Sequence, residues 1–280
     1  MIIRSALTLL TVLTFNSTNA LANDIYVSQV GDDYNITIVQ DGDNNKIGSS
    51  LTPIDVDGDD ATLTLKQYDD NNEMQVSVNG NRNTTKVLQG SLSGTSGDNY
   101  AEVDVIGDDN TVTVLQDRND AGNDDPTAVG DHETYITVFG DNNNVWQAQR
   151  NNGTWGTGPD GHYSTIDITG DYANVDVVQQ ADVKKTLSID IDADYVTADI
   201  RQNGHGQHDI TLDVDNSNST FDLDQGYNPG QSSGHSMSIS TGGTYASDIT
   251  VLQESNTPQS YTLTQTCVNS NGCSVSVTQN

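Results

Sequence analysis

The sequence predicts an all-β chain, a β-solenoid of about ten two-stranded rungs, each built strand–turn–strand. Three observations predict it. A glutamine recurs at the same place in ten similar segments. Apolar and polar residues alternate within each segment. A Gly-Asp pair or a close relative separates the two halves of most segments.

The glutamines are Gln40, Gln67, Gln89, Gln116, Gln149, Gln179, Gln202, Gln225, Gln253 and Gln279. Val56–Gln67, Val78–Gln89 and Val105–Gln116 superpose without gaps, and the other segments follow the same frame. Successive glutamines stand 22 to 33 residues apart. The excess falls mainly after the glutamine, as in Gly90–Tyr100, Asp117–Glu133, Arg150–Tyr163 and Gly226–His235. These insertions are rich in Gly, Asn, Asp and Ser, as surface loops are. Self-similarity at this period is the signature of a repeat architecture.

Within a unit, Ile166-Asp167-Ile168 and Val175-Asp176-Val177 show alternation with period two, which specifies strands. Between the strands stand Gly31-Asp32, Gly58-Asp59, Gly107-Asp108, Gly140-Asp141 and Gly170-Asp171. Gly accepts positive φ and Asp tolerates the left-handed region, so each pair marks a tight turn. One rung cannot bury its apolar side alone; stacked rungs share a continuous core. The expected inward set includes Val56, Leu63, Leu65, Val78, Val112, Val114, Val175, Val177, Phe221 and Leu223.

Each repeating glutamine falls on the inward parity. A buried amide without partners costs about 1–3 kcal/mol. A column of glutamines, one per rung, removes that cost by bonding each amide to its neighbours along the axis. Asn83, Asn110 and Asn143, six positions earlier, are placed to do the same.

Composition alone would suggest an unfolded acidic chain. Val, Ile, Leu and Phe make up about 22% of the residues, near the border of disorder. Forty Asp+Glu against 10 Lys+Arg give a formal charge of −30 over 280 residues. That charge excludes electrostatic binding to nucleic acid or to anionic lipid.

Residues 1–22 read as a signal peptide: Arg4, an apolar run from Ala6 to Phe15, then Ala20-Leu21-Ala22 as the cleavage site. The run is too short to span a bilayer. The expectation is an exported chain, 23–280, forming a single solenoid domain with no membrane insertion. In such a chain Cys267 and Cys273 read as one disulfide, with two free thiols as the alternative.

The first unit, Gln29-Val30-Gly31-Asp32-Asp33-Tyr34-Asn35-Ile36-Thr37-Ile38-Val39-Gln40, resembles the curlin repeat of curli fibre subunits. The resemblance covers about residues 25–279. The family's first glutamine is kept at Gln29 and replaced elsewhere, as at Val56, Val105 and Ile168. Its asparagine is replaced at Ala61, Ala173, Val196 and Ser219. The resemblance implies a secreted β-solenoid that assembles with itself into amyloid fibres of the extracellular biofilm matrix, at the cell surface. It also implies an outer-membrane secretion pore and a nucleator as partners, and a part in adhesion and aggregation. The alternatives are a fibre nucleator and a monomeric secreted binding protein, either an adhesin or an ice-binding solenoid. An ice binder needs a flat threonine array. Here one outward column runs Thr64, Lys86, Thr113, Trp146, Asp176, Asp199, which is too mixed.

Enzyme chemistry finds little support. Gly230-Gln231-Ser232-Ser233-Gly234 matches a nucleophile-elbow pattern but lacks the strand before it and the helix after it. His205 and His208 are two candidate metal ligands, and the histidines are read mostly as loop residues. The chain is read as a non-enzyme that needs no cofactor. Asp55, Asp104, Asp167, Asp190 and Asp213 share one outward position, and Asp32, Asp59, Asp108, Asp141, Asp171 and Asp194 share the turn. These columns are read as a solvated face or as weak cation sites, with Ca²⁺ as the candidate ion.

Overall fold

Alternation puts one side of each strand inward, and that side needs a facing layer. A computed structural model supplies it with two parallel sheets laid face to face. It describes residues 9–16, 23–31, 34–41, 45–48, 54–58, 60–67, 72–80, 82–89, 99–107, 109–116, 132–140, 142–149, 161–170, 172–180, 185–203, 207–215, 218–225, 235–242, 247–253, 259–266 and 273–279. The fold is an all-β, parallel-strand solenoid. One sheet has 11 strands and the other 12. From Ala61 onward the strands alternate between the sheets, so each strand pairs with its counterpart one turn of the solenoid away. Before that, Asn23–Ile25 and Ser28–Val30, and likewise Asn45–Ile47 and Ile54–Asp57, are successive strands of one sheet.

The register is one of like on like. Tyr172–Gln180 lies against Tyr195–Asn203 with Val175 opposite Ala198, Asp176 opposite Asp199 and Gln179 opposite Gln202. In the other sheet, Tyr163–Thr169, Lys185–Asp192 and His208–Val214 align Ile166 with Ile189 and Ile210 with Leu187. Burial alternates along each strand, and the inward side chains of both sheets form one core. All ten residues expected inside are buried there. The core is thin, only two side chains deep, so a low apolar content suffices.

Leu9–Asn16, part of the expected leader, is also a strand. The sequence assigns these residues to a leader outside the solenoid. The structure lays them parallel to Tyr34–Asp41, with Leu9 opposite Tyr34 and Phe15 opposite Gln40. The physical reason is the sheet edge: a row of unpaired N–H and C=O groups takes up any nearby extended segment. The insertion cores, the elbow-like segment Gly230–Gly234 and His205 lie outside the described residues.

The Gly turns stack as tightly as the strands. The amide of Gly107 donates to Phe139 O at 2.8 Å, and that of Gly80 to Ile106 O at 2.8 Å. Gly107 has φ +148°, and a Cβ built there would sit 1.5 Å from Gly80 O and 2.8 Å from Asn83 Oδ1. Only a residue without a side chain fits. The turn chemistry then changes: after Gly170 the level position is Ala193, between Asp192 and Asp194.

Gly107→Ala should therefore cost at least about 3 kcal/mol of stability, since it meets backbone and sits in a strained φ. Gly242→Ala should cost clearly less, because its nearest obstacle is the Asp215 carboxylate at 2.9 Å, the end of a side chain that can move. Denaturant midpoints of the two variants check the order; equal midpoints would show that the turns are not closely stacked.

Candidate functional site: buried polar columns and an exposed edge

The last inward residue of each second strand is a repeating glutamine, placed at the corner where the chain leaves one sheet for the other. Nine of them, Gln40 to Gln253, are buried; Gln279, on the outer strand Ser274–Gln279, is exposed. Gln67 Nε2 donates to Gln89 Oε1 (3.2 Å), Gln89 to Gln116 (3.0 Å), Gln116 to Gln149 (3.0 Å) and Gln149 to Gln179 (2.9 Å). Further along the direction reverses: Gln225 donates to Gln202 (3.2 Å), Gln253 to Gln225 (2.6 Å) and Gln279 to Gln253 (2.6 Å).

Each amide also makes a second bond across the corner. Gln67 Nε2 donates to Glu73 O, Gln89 to Tyr100 O, Gln116 to Glu133 O, Gln149 to Tyr163 O and Gln253 to Ser260 O. The acceptor is always at the start of the next strand of the opposite sheet. Thus one side chain ties a rung both to its neighbour and to the chain that enters the next rung, whatever the length of the insertion between them.

One residue before each acceptor lies a second buried column, which sequence reasoning missed. It runs Asn45, Asn72, Asn99, His132, His162, Lys185, His208, His235, all buried. Asn99 Nδ2 donates to Asn72 Oδ1 at 2.9 Å. The His132 and His162 rings lie 4.9 Å apart, and those of His208 and His235 stack at 4.7 Å within 3° of parallel. Lys185 pairs in register with His208. The histidines expected in loops thus line the core, apart from His205, which is not described. A usable signal was present: each column residue stands two positions before the first inward residue of its strand, as His208 before Ile210 and His235 before Met237.

Burial first, and then the charge of Lys185, push the His235 pKa below its ordinary value of 6.5. The neutral form of His235 is therefore favoured in the folded chain. Gln149 and His162, which flank the insertion 150–161, both carry positive φ (80° and 71°). Their column contacts hold a backbone conformation that such residues seldom adopt.

At the opposite corner, Asn143 Nδ2 donates to Asn110 Oδ1 at 2.7 Å and to Gly140 O at 3.0 Å. Asn83 belongs to the same buried column.

On the outer surface the five aspartates do share a column, but serine and threonine interrupt it. Asp55 and Asp104 both face Ser77, and Thr137 separates Asp104 from Asp167. Asp167, Asp190 and Asp213 are consecutive. The Asp190 carboxyl is raised from its ordinary range by burial, then by Asp167 and Asp213 on either side and by Asp215 and Asp192. Among the described residues no three His, Cys, Asp or Glu are grouped to hold a metal ion. Of the turn aspartates only Asp194 is described, and Cys267 also lies outside the described residues.

Ser274–Gln279 forms the outer strand of its sheet, and every residue in it is exposed. Val275 and Val277, each 39% exposed, are in register with buried Ile249 and Val251. The core pattern is therefore presented to solvent at this end.

Two outcomes are expected. Gln116→Leu removes a donor from Glu133 O, Thr134 Oγ1 and Gln149 Oε1, and should cost about 1–3 kcal/mol. Changing Gln89, Gln116 and Gln149 together should abolish cooperative unfolding; a wild-type denaturation curve would refute the columns. For pH, a depressed folded-state pKa means that the unfolded chain binds more protons below 6.5. The contribution of His235 is thus whole above pH 6.5 and lost as pH falls through the folded value. Stability measured in denaturant should drop between pH 7 and 5, and His235→Asn, matching the asparagines of the same column, should flatten the drop. Asp190 and Asp209, both raised, act in the opposite sense, losing stability as pH rises from about 4.

No family model, curated protein or solved structure matches the chain.

Proposed function

We propose that the chain is a secreted structural protein that assembles with itself, end to end, into curli-like amyloid fibres of the extracellular biofilm matrix, supporting adhesion and aggregation. In this reading residues 1–22 are a leader, and the rest forms a rod of ten rungs at the cell surface. The carrying observation is the exposed strand Ser274–Gln279. It offers Val275, Val277 and Gln279 in the phase that interior strands bury, together with an open row of backbone donors and acceptors. A further rung from another copy would bury the valines and extend the glutamine column. A Cys267–Cys273 disulfide would steady the loop that leads into this strand. A dedicated outer-membrane pore and a nucleator complete the reading by resemblance to the curlin family, and no catalytic activity is assigned.

The strand Leu9–Asn16 bears on the other end. While it covers Tyr34–Asp41, the edge of that strand is already paired, so the unprocessed chain should elongate more slowly at this end.

Electron microscopy and thioflavin-T fluorescence on Asn23–Asn280 should show fibres, with a diffraction spacing of about 4.8 Å along the axis. Met1–Asn280 should elongate more slowly. At a net charge near −30, end-to-end docking brings like charges together. The screening length falls from about 10 Å at 0.1 M salt to about 3 Å at 1 M, so salt should shorten the lag. Millimolar Ca²⁺ should shorten it beyond its ionic strength if the Asp167–Asp190–Asp213 column takes cations. A chain that stays monomeric in sedimentation under all these conditions would overturn the reading in favour of a monomeric binding protein.

A further inference from the structure

The outer face of the rod carries a groove of about 600 Å³ that none of the columns above explains. One wall is a pair of tyrosines on adjacent strands, Tyr172 and Tyr195, 52% and 49% exposed. Their rings lie 5.1 Å apart and within 7° of parallel. Tyr172 thus uses one ring face on Tyr195. Its other face is turned toward the strand that carries Asn144, with Asn142 at the position level with Tyr172. Replacing a planar ring by the shorter Asn142 and Asp109 makes the step that forms the groove.

The rest of the lining is chemically uniform. Asn144, Asn174 and Thr197 stand in one outward column, with Thr111 a strand further on. Asp109 is the one ionised group among the described residues of the lining. Its carboxylate accepts from Asn142 Nδ2 at 3.0 Å and lies 3.4 Å from Arg82 Nε. On a chain with 40 acidic residues, the described lining is mostly uncharged, and its one carboxylate is paired with Arg82.

Side-chain amides and hydroxyls both donate and accept hydrogen bonds. A ligand that satisfies several of them must do the same, which describes a polyol. An exposed ring face adds an apolar platform with no hydrogen-bonding demand of its own, and the carbon-bound hydrogens on one face of a pyranose fit it. The surrounding negative field disfavours carboxylated or sulfated chains. We propose that the Tyr172–Tyr195 groove binds a neutral glycan, with Tyr172 as the stacking platform and Asn144, Asn174 and Thr197 as its hydroxyl partners. The groove lies on the side of the rod, away from the exposed strand, so it serves a monomer and a fibre alike.

The test is affinity electrophoresis of the freshly prepared full chain in native gels containing hydroxyethyl cellulose, glucomannan or, as the anionic comparison, polygalacturonate. At least one neutral glycan should retard the chain, and polygalacturonate should not. Tyr172→Ala should weaken retardation by about tenfold or more, the equivalent of one good aromatic contact. Asn144→Ala should weaken it less. Tyr26→Ala, which removes an exposed tyrosine elsewhere, should leave it unchanged. All variants should keep the wild-type denaturant midpoint, since Tyr172 is half-exposed. Retardation by no neutral glycan, equal retardation by polygalacturonate, or indifference to Tyr172→Ala would each overturn the proposal. So would a Tyr172→Ala effect confined to sedimentation, which would make the tyrosines a contact between copies.

Discussion

Parallel, in-register stacking is the constraint from which the rest of the structure follows. Strands about 4.8 Å apart place each residue directly over its equivalent in the next turn. A choice made once in the repeat is therefore made along a whole column, and its energy is multiplied by the number of turns. Glutamine is favoured, because an amide both donates and accepts and so satisfies its copies above and below. Glycine is required where backbones approach, as Gly80 and Gly107 do. Aspartate is tolerated only outside, where water screens it.

The same multiplication explains how a chain of such charge folds. Carboxylates about 5 Å apart repel by roughly 1 kcal/mol even in water. Ser77 and Thr137 break one outward acidic column, and Lys46 lies 2.6 Å from Glu73 at one of the few sites where a cation is available. In the run Asp167–Asp190–Asp213, the middle carboxyl has a raised pKa, by burial first and then by the aspartates on either side. Lys185 adds a positive charge to the buried column, so protonating His235 is opposed twice, by burial and by that charge.

Much of the fold was legible because period-two alternation and a recurring glutamine are local patterns. The inward set from Val56 to Leu223 needed only parity, and so did the glutamines. The histidine column obeys the same parity but was hidden by its chemistry. Its members change from Asn to His to Lys and back to His, so no residue type repeats. Only register, which depends on how two distant strands pair, brings Lys185 beside His208. Leu9–Asn16 was not legible as a strand for a related reason: an apolar run with a basic start reads as a leader, and the same run can also pair as an edge strand. The groove at Tyr172 was illegible because it arises from a difference between neighbouring repeats, and repeat analysis looks for what they share.

That dependence on register also gives the polar columns a role that the apolar core cannot fill. Sliding one strand by a single residue would turn every inward side chain outward, so burial alone forbids it. Sliding by two residues keeps valine, leucine and isoleucine inside, and the apolar core barely registers the change. Such a slip would set Gln67 against Val87 in place of Gln89, and Gln202 against Leu223 in place of Gln225. Each displaced amide would lose its partners along the axis and across the corner, at about 1–3 kcal/mol apiece. The penalty applies at every turn and at both polar corners. A core of interchangeable branched residues thus supplies cohesion, and the glutamine, asparagine and histidine columns select the one alignment in which that cohesion is used.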